Sequence, residues 1–83
     1  MVTKELVMKD FTHMDASPAA MLVQLASKFE SSVYVDQAEK RTNAKSIMGV
    51  MILNFAAGTK ATVTVDGSDE VAALAELEQF LEA

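Results

Sequence analysis

The 83-residue chain has no cysteine and no tryptophan, and only one proline, one histidine and three glycines. Without cysteine there is no disulfide framework, no thiolate metal site and no cysteine nucleophile, a composition that suits a reducing cytoplasm. The lone histidine, with no run of spaced carboxylates, argues against structural zinc and EF-hand calcium sites, so neither metal nor cofactor is expected. No apolar run approaches the ~20 residues of a membrane span. The opening Met1-Val2-Thr3-Lys4-Glu5-Leu6 also lacks a basic region followed by an apolar core, so a membrane segment and an export signal are not expected. Positive charge is scarce as well. Seven Lys and Arg stand against twelve Asp and Glu, for a net charge of −5 and a pI near 4.6. Such a chain has no basic patch for direct nucleic-acid binding, and any influence on DNA would pass through a partner. The length suits one domain, residues 1–83, whose function must sit on its surface.

What is present alternates between strand and helix patterns. Leu6 and Met8 are the inward positions of an opening strand, and Ser32-Val33-Tyr34-Val35-Asp36 alternates with Val33 and Val35 toward the core. Between them, Ala16 to Phe29 carries Ala19, Leu22, Val23, Ala26 and Phe29 at helical spacing, with Asp15 as N-cap and Pro18 in the first turn. A weak strand is expected at Lys40 to Asn43, because Gln37-Ala38-Glu39 lacks an Asn-Gly turn and Thr42 is its one strand-former. Ile47 to Leu53 suits a short helix, Ala57-Gly58 a turn and Ala61 to Val65 a strand. A final helix follows, capped by Ser68, with Asp69 and Glu70 at its positive end and Val71, Leu74, Leu77 and Leu81 on one face. One antiparallel sheet covered on one face by helices, an α+β arrangement, accommodates this order.

The most informative stretch is Asn43-Ala44-Lys45-Ser46-Ile47-Met48-Gly49-Val50-Met51. Ser46 is a natural N-cap, and a phosphate on its hydroxyl would meet unpaired backbone N–H groups, with Lys45 adding charge beside it. Phosphorylation adds about −1.5 to −2 charge and strong acceptor oxygens, enough to create a docking determinant. Read from local sequence alone, a plain cap is the favoured explanation of Ser46. Methionine is usually core filler. Yet the first helix assigns its core to Leu22, Val23 and Ala26, which leaves Ala20, Met21 and Gln24 on the other side, and an exposed apolar patch marks a contact surface.

These nine residues resemble the regulatory serine segment of HPr, the small phosphocarrier family of the bacterial sugar phosphotransferase system. The likeness extends to Ala16 through Phe29, similar to the family's first helix, and to Gly67-Ser68-Asp69-Glu70 before the last one. It implies an HPr-like open-faced β-sandwich, βαββαβα, with a four-stranded antiparallel sheet and three helices on one face. It also implies that this region, with Ile47 and Met48 beside Ala20, Met21 and Gln24, docks partner proteins, while Met51 suits that surface and the core equally. HPr proteins carry the transferable phosphate on a histidine in a His-Ala-Arg-Pro-Ala motif, where this chain reads Asp15-Ala16-Ser17-Pro18-Ala19.

The carrier site, Asp15 and Ser17, is therefore degenerate. A carboxylate can form an acyl phosphate, but Asp15 would repel an incoming phosphoryl group, and no Lys or Arg lies between Lys9 and Lys28. His13 is the other candidate acceptor, two residues out of place and in a loop. Loss of the histidine with retention of the serine resembles the Crh-like regulatory branch of the family. That resemblance implies a non-enzymatic protein whose Ser46 is phosphorylated by HPr kinase/phosphorylase. It would then act in carbon catabolite control by binding a LacI-type regulator or another protein. The branch typically retains an arginine where this chain has Ser17, which implies weaker binding to such a regulator or a different partner. The alternative is a phosphocarrier working through Asp15 or His13.

Overall fold

In the computed structural model, which describes residues 1–82, the elements run β1 (Val2–Val7), α1 (Pro18–Ser27), β2 (Ser32–Gln37), β3 (Lys40–Asn43), α2 (Ile47–Val50), β4 (Lys60–Asp66) and α3 (Glu70–Leu81). The four strands form one antiparallel sheet in the order β1-β4-β2-β3. Period-two alternation sets its register: Val33 pairs with Val65 and Val35 with Val63, so all four valines are buried on the same face. Leu6, Met8 and Ala61 extend that apolar face. Against it pack Ala19, Leu22 and Ala26 of α1, Val50 of α2 and Ala73, Leu77 and Leu81 of α3. No helix among the described residues is long and apolar enough to cross a membrane.

The weak strand forms as expected at Lys40–Asn43, with Thr42 buried, and its turn is made without glycine. Gln37 pairs with Lys40 across Ala38 and Glu39, and Ala38 takes φ = 54°. Two-residue hairpins need positive φ to match strand twist. Alanine there costs about 1 kcal/mol of left-handed strain. Ala38→Gly is therefore expected to raise Tm by up to about 4–8 °C, measurable by thermal unfolding.

Three helix boundaries depart from expectation. Ser17, and not Asp15, caps α1: its Oγ accepts from the Ala20 N–H at 3.4 Å. The helix α2 ends at Val50 rather than Leu53, and Gln37 then holds the following segment through reciprocal 2.8 Å bonds with the Asn54 backbone. At α3, Ser68 does not cap. Its hydroxyl donates to Glu30 at 3.3 Å, and Asp69 occupies the N-cap position with no side-chain cap bond. Val71 is 72% exposed, and Ala73 takes its place on the buried face. The longer tertiary reach of Asp69 outcompeted the local cap.

The Asp69 carboxylate binds the start of β2, accepting from Glu30 N–H at 2.9 Å, Ser31 N–H at 3.0 Å and the Ser31 hydroxyl. The Ser31 hydroxyl above all, then the Glu30 amide, holds its pKa below the ordinary carboxylate value. A folded-state pKa below the unfolded one means the unfolded chain binds more protons in acid. The stabilisation is complete above the ordinary value near 4 and fades as pH falls through the lowered one. Urea midpoints measured between about pH 7 and pH 3 are expected to fall on acidification, less steeply in Asp69→Asn, which starts lower.

Candidate functional site

Two neighbouring surfaces matter: the loop entering α1 and the turn entering α2, whose helices pack together. The first loop is anchored by Phe11, whose ring meets Phe55 edge-on at 5.7 Å and Phe80 at 5.5 Å. Asp10 then closes a local turn, accepting from the Thr12 N–H at 2.8 Å and the Thr12 hydroxyl at 2.6 Å, and those bonds lower its pKa. His13 lies beyond, with its side chain 92% exposed and Nε2 3.9 Å from Asp10 Oδ2. Asp15 is exposed in the same loop, ahead of a helix that Ser17 caps. The loop presents a carboxylate and a hydroxyl at the head of α1.

The second surface is built by Asn43. Its side chain accepts from the Lys45 N–H at 2.9 Å and its carbonyl from the Ser46 N–H at 3.0 Å, which turns the chain out of β3. Ser46 is exposed, and its Oγ accepts from the Gly49 N–H at 3.4 Å, a long bond in which the hydroxyl is only lightly engaged. Gly49 lets the short helix sit close to β3, because a Cβ there would stand 3.1 Å from Thr42 Cγ2. Lys45 behaves differently from the expectation that its charge lies free beside Ser46: its Nζ donates to the Phe29 carbonyl at 2.7 Å, tying the end of α1 to this turn.

Around Ser46 the apolar side chains face solvent. Ile47, Met48 and Met51 are exposed, and Met21 of α1 is just over one-third exposed. Gln24 is exposed and Ala20 half-buried. All six residues expected at a partner surface thus have some access to solvent, with Ala20 contributing least. Ile52, absent from that expectation, is exposed as well. The early end of α2 at Val50 presents Met51 and Ile52 consecutively, which helical periodicity through Leu53 does not foresee.

Residues 2–83 match the family model described as the PTS HPr component phosphorylation site. The chain belongs to the HPr family. Among HPr relatives it is 40% identical over 82 residues to the HPr-like protein Crh of Halalkalibacterium halodurans, covering 99% of this chain and 98% of that one. It is equally, 40%, identical to the phosphocarrier protein HPr of Treponema pallidum, with 99% and 93% coverage. The crystal structure of an HPr from Bacillus anthracis superposes with a TM-score of 0.88 at 36% identity, covering 98% of this chain and 96% of that chain. Within the HPr family this chain has the character of the Crh-like branch.

Proposed function

We propose that this chain is an HPr-like regulatory protein of carbon catabolite control, switched by phosphorylation at Ser46 and acting through a protein partner. The observation that carries the reading is the exposed, lightly engaged Ser46 hydroxyl at the edge of the exposed Ile47, Met48 and Met51 surface. A kinase can reach that oxygen without unfolding the turn. A phosphate there would replace a 3.4 Å cap bond with charge-assisted ones to backbone N–H groups, and its remaining oxygens would face the partner.

HPr kinase/phosphorylase supplies the phosphate from ATP in this reading, and the cytoplasmic phosphoprotein binds a LacI-type regulator. The chain itself performs no catalysis. Apolar contacts from Met48 and Ile47 give affinity, and the phosphate gives the switch. With Ser17 in place of arginine, one charged contact to such a regulator is absent, so binding is weaker or directed to another protein. Calorimetric titration of the regulator with phosphorylated and unphosphorylated chain tests this. Binding confined to the phosphorylated form supports it, and equal binding by both forms sinks it.

The similarity to a Treponema pallidum protein named as a phosphocarrier keeps one rival in view, phosphotransfer through Asp15 or His13. Incubation with phosphoenolpyruvate and Enzyme I followed by intact-mass measurement separates the two. The regulatory reading expects no added phosphate; a labile adduct on the chain establishes the rival.

A further inference from the structure

The absence of cysteine leaves methionine as the sole sulfur, and the methionines differ widely in exposure. Met48 is 81%, Met1 76% and Met51 71% exposed and Met21 37%, whereas Met8 is 0% exposed in the core. Met14 is half-buried against the core. Met48 and Met51 lie within five residues of Ser46, beside the exposed Ile47 and Ile52, whereas the other strongly exposed thioether, Met1, immediately precedes β1. Thioether oxidation follows exposure and turns a flexible apolar side chain into a polar one.

We propose that Met48 and Met51 form a reversible oxidation site that disables the apolar surface around Ser46. The oxidant is a peroxide. The thioether sulfur attacks one peroxide oxygen, the O–O bond breaks, an S=O bond forms, and the peroxide leaves reduced to water after proton transfer. A dithiol-driven methionine sulfoxide reductase returns the thioether, removing the oxygen as water and leaving a disulfide on the reductant. Two sulfoxides beside Ile47 and Ile52 replace apolar contact area by strongly hydrated dipoles, so a partner that buries this surface must desolvate them.

The chemistry of the site stands on exposure alone. Its regulatory effect rests on the reading of this surface as the one that the Ser46 kinase and later partners touch. A protein with both states of Met48 and Met51 then combines two inputs on a few residues: phosphate on Ser46 enables docking, and oxygen on the sulfurs prevents it. The folded core is untouched, because Met8 is closed to peroxide.

The test treats the folded protein with graded hydrogen peroxide and maps added oxygen by peptide mass. Met48 and Met51 are expected to oxidise first, together with Met1 and ahead of Met21, and Met8 last, with the far-UV circular dichroism unchanged. Retention on a hydrophobic-interaction column is expected to fall for the wild type and to fall markedly less for Met48→Leu/Met51→Leu, in which Met1 and Met21 are the exposed thioethers left. Phosphorylation of Ser46 by HPr kinase/phosphorylase, each protein compared with itself before and after peroxide, is expected to slow about tenfold in the wild type and not in the double variant.

Oxidation of Met8 at the rate of Met48, or unchanged retention of the oxidised wild type, overturns the proposal. An oxidised wild type phosphorylated as fast as the untreated protein overturns its regulatory part. A reduced wild type that takes no phosphate overturns the Ser46 reading instead, while the oxidation order and the column retention still decide this one.

Discussion

Gly67→Ala is expected to lower Tm by at least about 12 °C. Gly67 follows β4 with φ = 156°, and a Cβ added there would lie 2.6 Å from Ser31 Cα and 2.5 Å from Ser31 Oγ. Backbone is involved on both sides, so no rotamer change relieves the overlap. Ser31 cannot yield easily either, being buried and held by Asp69 through both its amide and its hydroxyl. Overpacking of this kind costs about 3 kcal/mol or more. A domain of 83 residues has only about 4–12 kcal/mol of stability, and each kcal/mol is worth about 4–8 °C in a chain this small.

Gly58→Ala is the natural control. Gly58 also has a positive φ, 87°, but open space where its Cβ would go. Only the conformational cost of about 1 kcal/mol applies. Thermal unfolding of the two variants side by side is expected to separate them clearly, and equal losses would contradict the close approach of Gly67 to Ser31.

The second large effect is a gain. Asp15→His together with Ser17→Arg restores the carrier motif of the family on a loop already held by Phe11, ahead of a ten-residue helix that begins with Pro18. Histidine supplies a neutral ring nitrogen as acceptor at neutral pH. Arginine supplies a planar fork of donors for the phosphoryl oxygens. The double variant is expected to take phosphate from phosphoenolpyruvate and Enzyme I, where the wild type takes none detectable by intact mass. Removing the Ser17 cap costs about 0.5–2 kcal/mol, which a folded domain of this size tolerates. Asp15→His alone is expected to fall well short of the pair, because nothing replaces the guanidinium. Equal phosphate on wild type and double variant would show that the wild type already carries an acceptor, Asp15 or His13.

The seven elements and their order are legible because valine alternation in β2 and β4 and leucine spacing in α1 and α3 are strong periodic signals. The expected inward positions Leu6, Met8, Val33 and Val35 are all buried. The helix termini were harder to read, since several oxygen-bearing side chains compete near each one. Asp15 and Ser17 both suit the start of α1, where Ser17 makes the local bond, and Ser68 and Asp69 the start of α3, where tertiary partners draw both away. Asp69 is drawn to the Glu30 and Ser31 amides, which are distant in sequence.

Lys45 shows the same limit. Adjacent to Ser46 in the chain, it spends its charge on the Phe29 carbonyl, a contact that no local pattern announces. At the candidate site, the cap geometry of Ser46 and the exposure of Met48 follow from the segment Asn43 to Met51, which leaves Met51 open between surface and core. Ile52 does not, because its exposure depends on α2 stopping at Val50, where the Gln37 amide captures Asn54.

The account turns on Ser46, and treatment of wild type and Ser46→Ala with HPr kinase/phosphorylase and ATP, read by intact mass, tests it most directly. The wild type is expected to gain one phosphate mapping to Ser46, and Ser46→Ala to gain none. A wild type without phosphate, or a Ser46→Ala variant that gains one, would contradict it.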